Sequence, residues 1–178
     1  GLLKASFIPP APQRELRDLT RYRTNLVSER VRVANRVQKL LEDANIKLSS
    51  VTTDIFGVSG RAMLEALIAG KADAETMAQL AKGRLRNRIP ELQKALTGVV
   101  REHHRFLLAA QLAHMDFLDE QVNTVSKEIE HRINIANQPQ EPSAASPWET
   151  PLNPDQAVSL LDTIPGVDKN IAEIIVAE

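Results

Sequence analysis

The chain has 178 residues, of which 43% are hydrophobic, but it holds only one Trp, one Tyr and four Phe, and its formal net charge is -1. A core poor in aromatics must be filled by Leu, Ile, Val and Ala, which favours helix-on-helix packing and an all-α fold. The absence of Cys excludes disulfide frameworks, thiolate metal sites and thiol catalysis, and no apolar run approaches the ~18 residues of a membrane helix. A chain with no membrane partner is expected, with the cytoplasm as its default compartment.

The balanced net charge hides an uneven distribution. Residues 1–45 carry nine Lys/Arg against five Asp/Glu, residues 46–137 twelve against eleven, and residues 138–178 one against seven. Positive charge is therefore concentrated at the start of the chain and negative charge at its end.

Residues 1–12 read as an extended lead-in, because the prolines of IPPAP fix φ and disfavour helix in the residues before them. From about Gln13 to Ala44 neither Pro nor Gly interrupts. Leu19, Tyr22, Leu26, Val33, Val37, Leu40 and Ala44 recur there at three-, four- and seven-residue spacing, which predicts a helix of ~50 Å at ~1.5 Å per residue. With Arg14 as origin on a wheel of about 100° per residue, Arg17, Arg21, Arg32, Arg36 and Lys39 fall within about 60° of it. These cations form a stripe beside the apolar seam. It can follow a phosphate backbone, or it can be a solvated face whose arginines pair with neighbouring carboxylates.

Residues 46–88 predict a subdomain of short helices. Ser59 is expected to cap one helix before Gly70, and Asp73 another before Gly83. The segment KGRLRNR then places Lys82, Arg84, Arg86 and Arg88 at alternate positions. If extended they share one side; if helical they spread around the axis or complement the preceding helix end.

A second long helix is expected from about Pro90 towards Asn137, with a bend at Gly98 and an apolar pattern through Leu118, Val122, Val125, Ile129 and Ala136. That pattern suits a coiled-coil seam or an antiparallel partner to the first helix, and both helices call for partners, so the scaffold spanning 13–137 is expected to form a bundle or coiled coil and to self-associate. Residues 138–151 read as a Pro-rich linker that leaves the tail loosely attached. Beyond it, Asn153 and Pro154 open a short helix, IPGVD makes a turn and Asp168 caps a last helix.

The last segment, 152–178, resembles a helix-hairpin-helix unit. Gly166 and Val167 at the turn and Lys169 at the following helix start are its candidate phosphate contacts, because glycine lets backbone amides approach an anion. Asp168 stands where the motif usually has a second glycine. Ile164, Val167, Ile171 and Ile174 are expected to hold the two helices together.

The histidines give no ligand set at sequence level. His103 and His114 share a face but lie ~16 Å apart along the axis. The neighbours His103 and His104 are expected to diverge, and Glu128 with His131 is a single Glu-x-x-His where a di-metal bundle needs two. No metal, cofactor or catalytic residue is expected in this chain, since it lacks the phosphate-binding, dinucleotide and nucleophile-elbow motifs.

The segments SFIPPAPQRELRDLTRYR, NRVQKLLEDANIKLSSVTTDIFGVSGRAMLEALIAG, AKGRLR, HHRFLL and LLDTIPGVDKNIAEIIVAE, in this order, resemble the bridge-RNA-guided insertion-sequence transposases. These enzymes have an N-terminal RuvC-like DEDD domain and a C-terminal serine-bearing domain. The resemblance implies that the chain is the helical middle and the start of the C-terminal domain, with DNA and guide RNA as partners. It further implies acidic catalytic residues upstream of Gly1 and a catalytic serine downstream of Glu178. The opening Gly and the interrupted periodicity of NIAEIIVAE fit an internal piece. The alternative from the residues alone is a structural coiled-coil dimerisation module without nucleic-acid binding.

Overall fold

Two long helices and several short ones carry all the regular structure of the computed structural model, which describes residues 9–70, 73–136 and 153–177. Among these residues there is no strand, so the fold is all-α. The expected linker and most of the expected lead-in lie outside the described residues. Two compact units divide the chain, one from the described residues within Gly1–Ser28 and Glu120–Glu178, the other from Glu29–Asp119.

Helix α1 spans Ala11–Asp43. It starts two residues before the expected Gln13, because Pro12 is tolerated in a first turn, where its missing N–H would have no partner. It ends in a Schellman arrangement. Asn45 takes the left-handed conformation (φ 58°), while Ile46 N–H donates to Leu41 O at 2.7 Å and Asn45 N–H to Glu42 O at 2.9 Å. Leu41 and Ile46, the apolar pair that accompanies such a cap, are both buried.

The Glu29–Asp119 unit is built around the second half of α1 and the first part of helix α5, Glu102–Ala136. Between them come α2 (Val58–Ala69), α3 (Ala74–Ala78), a 3-10 turn over Gly83–Arg88 and α4 (Ile89–Ala95). One apolar cluster joins Val37, Leu41 and Ile46 to Met63 and Leu64 of α2, Met77 of α3, Leu92 of α4, and Leu108 and Leu112 of α5. It contains no fully buried aromatic side chain, in keeping with the composition. Each fully buried aliphatic chain stabilises by ~1.5–3 kcal/mol, so this cluster outweighs the exposed ion pairs around it at ~0–1 kcal/mol each.

Two expectations fail here for identifiable reasons. Gly98 does not bend a continuous helix; α4 stops at Ala95 and α5 begins at Glu102. The chain folds back between them onto the end of α1, with Lys47 N–H donating to Ala95 O at 2.8 Å and Val99 N–H to Ala44 O at 2.9 Å. A Cβ on Gly98 would stand 2.3 Å from Ala44 O, so only glycine permits the approach. Ser59 likewise does not cap α2. The N-cap is Gly57, and the Ser59 hydroxyl accepts the Lys82 N–H at 2.9 Å, tying the 3-10 turn to α2. Asp73 does cap α3, accepting from Thr76 N–H at 2.8 Å.

In the other unit, the start of α1 buries Leu16, Thr20, Arg23 and Leu26, and the end of α5 buries Val125, Ile129 and Ile133. Tyr22, placed on the seam by the sequence pattern, is exposed. Helices α6 (Pro154–Asp162) and α7 (Lys169–Ala177) pack against each other. Asn153 Oδ1 accepts Asp155 N–H and Asp168 Oδ1 accepts Ile171 N–H, so both expected caps form. The hairpin's core differs from expectation, because Ile164 and Ile171 are exposed while Val158, Ala172 and Ala177 are buried. Nor is the tail loosely attached. The Arg23 guanidinium of α1 donates to Glu173 Oε2 of α7 at 2.6 Å, with both side chains at 5% exposure or less.

Candidate nucleic-acid interface

The cationic stripe lies on the side of α1 away from its buried residues. Within the Glu29–Asp119 unit, Arg32, Arg36 and Lys39 are exposed, and none forms a side-chain hydrogen bond or ion pair with a described residue. Asp43 closes the row at its C-terminal end, but its carboxylate accepts from His104. Within the other unit Arg14 is exposed and also lacks a side-chain partner among the described residues, whereas Arg17 and Arg21 each interact with another group of the chain. The stripe thus splits into free cations and engaged ones, a distinction that helical angles alone do not make.

The basic segment 82–88 is neither extended nor α-helical. As a 3-10 turn it divides its cations. Arg86 Nε donates to Ala81 O at 3.2 Å, and Arg88 donates to Val51 O at 2.6 Å while pairing with Glu91. Both serve local structure. Lys82 and Arg84 are exposed, have no side-chain partner among the described residues, and line a cleft of about 540 Å³ together with Thr52, Thr53, Asp54 and Ser59. The cations of this cleft are visible as KGRLRNR, but its hydroxyls are not, because they come from a segment about thirty residues earlier.

In the hairpin turn, Gly166 is exposed at φ 90° and Val167 is half-buried. Lys169 Nζ donates to Glu130 Oε1 at 2.6 Å and lies 3.9 Å from Glu173 Oε1. That pairing holds the Glu130 carboxyl below its ordinary range and raises the Lys169 ammonium above its own. The cation nearest the turn is therefore engaged by carboxylates of its own chain.

His103 and His104 do not diverge as their adjacency suggested. Their ring centroids lie 4.0 Å apart, and with Asp43 they bring three ligand-type atoms within 4.8 Å of one another. His104 is the third residue of α5, and its Nδ1 accepts the N–H of Arg101 just before the helix at 3.2 Å, as a capping-box side chain does. An accepting Nδ1 leaves the proton on Nε2, which donates to Asp43 Oδ2 at 2.8 Å. A metal at Nε2 would need the other tautomer, whose Nδ1 proton would face the Arg101 N–H. The triad acts as a helix cap bonded to the end of α1, and Arg101-x-x-His104 is the spacing that marks it.

No protein-family model, curated protein or solved structure matches the chain.

Proposed function

We propose that the chain is a helical scaffold of a DNA transposase that binds DNA and guide RNA through its cationic surfaces and self-associates, with catalysis supplied by residues outside it. The observation that carries this reading is the row of Arg32, Arg36 and Lys39. Three cations, exposed and unneutralised by described residues, face away from the core at helical spacing. Their register on one face sets them apart from Arg61 of the same unit, which is engaged by Asp116 and Glu65. Unpaired guanidinium groups in register attract phosphates and release counterions on contact.

The test is binding of single-stranded RNA and duplex DNA by fluorescence anisotropy over a range of salt. The variant R32Q/R36Q/K39Q is expected to bind more weakly, with a logarithmic salt slope lower by ~2–3 units, since each lost contact removes ~0.7–0.9. Helicity should not change, because these side chains are exposed and make no hydrogen bond or ion pair with described residues. Salt-independent or absent binding by the unaltered chain would favour the structural dimerisation module instead.

A further inference from the structure

The cleft between the loop 51–60 and the turn 82–88 differs from a solvated charged face in three respects. It is an open depression of about 540 Å³, a volume within the ~300–1,000 Å³ range of small-ligand sites. Its cations are set on a backbone pinned from both sides, by Lys82 N–H to Ser59 Oγ at 2.9 Å and by Arg88 Nη1 to Val51 O at 2.6 Å. Its walls include Gly57, Gly60 and Gly83, and at Gly83 the space a side chain would fill is open, so a ligand can approach the backbone there.

The charges decide the ligand's sign. Lys82, Arg84 and Arg88 face a single carboxylate, Asp54, and Arg88 is largely spent on Glu91 and Val51 O. Lys82 and Arg84 remain for an anion, with Thr53 and Ser59 as hydroxyl neighbours. Among the described residues no aromatic side chain lines the cleft, so these offer no base-stacking surface of the kind sequence-tolerant single-strand grooves use. A cavity of this size admits one strand and not the width of a duplex.

We infer that this cleft seats a phosphodiester of single-stranded nucleic acid, held by Lys82 and Arg84 through its backbone and without regard to base identity. The inference rests on the nucleic-acid reading above and assigns it a second contact, separate from the row on α1. Lys82 and Arg84 act on the phosphate oxygens as charge-assisted donors. Gly83, at φ 58° with open space around its α-carbon, lets the strand pass close between them.

The experiment is amide chemical-shift mapping of the full chain with hexathymidylate, hexauridylate, hexaadenylate and an uncharged methylphosphonate hexathymidylate. The three charged strands are expected to shift the Gly57, Gly60 and Gly83 amides to similar extents, and the uncharged one to leave them in place. In K82Q/R84Q those shifts should vanish and the salt slope for hexauridylate should fall by ~1.4 units, two contacts at ~0.7 each for a single strand. In R32Q/R36Q/K39Q the glycine shifts should persist. Neither replaced side chain in K82Q/R84Q has a partner among the described residues, and circular dichroism checks that the variant is folded. Shifts confined to the α1 amides, or glycine shifts that survive K82Q/R84Q, would overturn the cleft inference and leave the scaffold reading standing. Glycine shifts with one base sequence alone would overturn the base-independent contact. No shift anywhere with any charged strand would overturn both readings.

Discussion

At the scale of single residues, the arginines of α1 do different jobs according to their helical phase. Arg23 lies about half a turn from Arg14, on the buried side of the helix, and a long charged side chain there must be paired because unpaired burial is costly. Its partner Glu173 is 150 residues away, so the sequence marks Arg23 as anomalous without identifying what satisfies it. Removing one member of such a pair strands the other. Arg23→Met is therefore expected to destabilise by ~3 kcal/mol, the lower end for a broken buried pair, because Lys169 lies close enough to offer Glu173 partial compensation. Arg23→Met/Glu173→Leu should recover much of the loss in urea unfolding. A single-variant loss no larger than that of a surface pair would show that the contact is solvated. A different balance holds for Asp116, whose carboxyl the Arg61 guanidinium keeps below its ordinary value. A depressed folded pKa adds stability above the unfolded value, and that stability is lost as pH falls through the folded one. Asp116→Asn should therefore cost ~0.2–1 kcal/mol near neutrality, as expected of an exposed pair, and the difference should close once acid protonates the wild-type carboxylate. A gap that persists in acid would mean that Asp116 acts through packing and not through charge.

Among the elements, those governed by local rules were legible and those governed by long-range backbone contacts were not. The caps at Asp73, Asn153 and Asp168 and the turns at Gly70 and Gly166 follow from residue chemistry within four positions, and all are present. The break between α4 and α5 depends on Val99 bonding to Ala44, fifty-five residues earlier, and sequence could read Gly98 only as a bend. Ser59 was misassigned for the same reason, since its hydroxyl serves Lys82 across the fold. The cleft followed suit: its cations were visible as KGRLRNR, whereas its concavity depends on the loop that packs beside them. The contact at Gly98 gives an element-scale prediction. Gly98→Ala would press a methyl to 2.3 Å from Ala44 O and 2.8 Å from Ile46 Cδ1, and a backbone oxygen cannot rotate away. A loss of ~1–3 kcal/mol, typical of overpacking, is expected in thermal or urea unfolding. An unchanged midpoint would show that the 96–101 segment is free to shift from the end of α1.

At the scale of the whole molecule, composition accounts for the all-α class, but the seams of the two long helices do not account for self-association. The apolar pattern of the second long helix suits a coiled-coil seam or an antiparallel partner to the first, and both seams need cover. In the Glu29–Asp119 unit those seams cover each other, with Val37 and Leu41 of α1 in one cluster with Leu108 and Leu112 of α5. The apolar surface left over is elsewhere. On α5, Phe106, Ala110, Ala113 and Phe117 recur at spacings of four, three and four and are all exposed, Phe106 at 73% and Phe117 at 55%. An aromatic at each end and alanine between them reads the same in either direction along the helix. That is the pattern an isologous contact about a two-fold axis requires, with the same patch used by both copies. Phenylalanines carry ~150 Å² or more of surface each, so leaving two in water on one stripe is costly. The self-association proposed above is therefore expected to run through this row. Sedimentation at micromolar concentrations should show a dimer for the unaltered chain and a monomer for F106E/F117E, with helicity retained because neither side chain is in the core. If the unaltered chain sediments as a monomer throughout, self-association fails as part of the proposed function while the nucleic-acid contacts stand. If the charged variant remains dimeric, another surface joins the copies, and the exposed Tyr22, Val27 and Val31 of α1 become the residues to replace next.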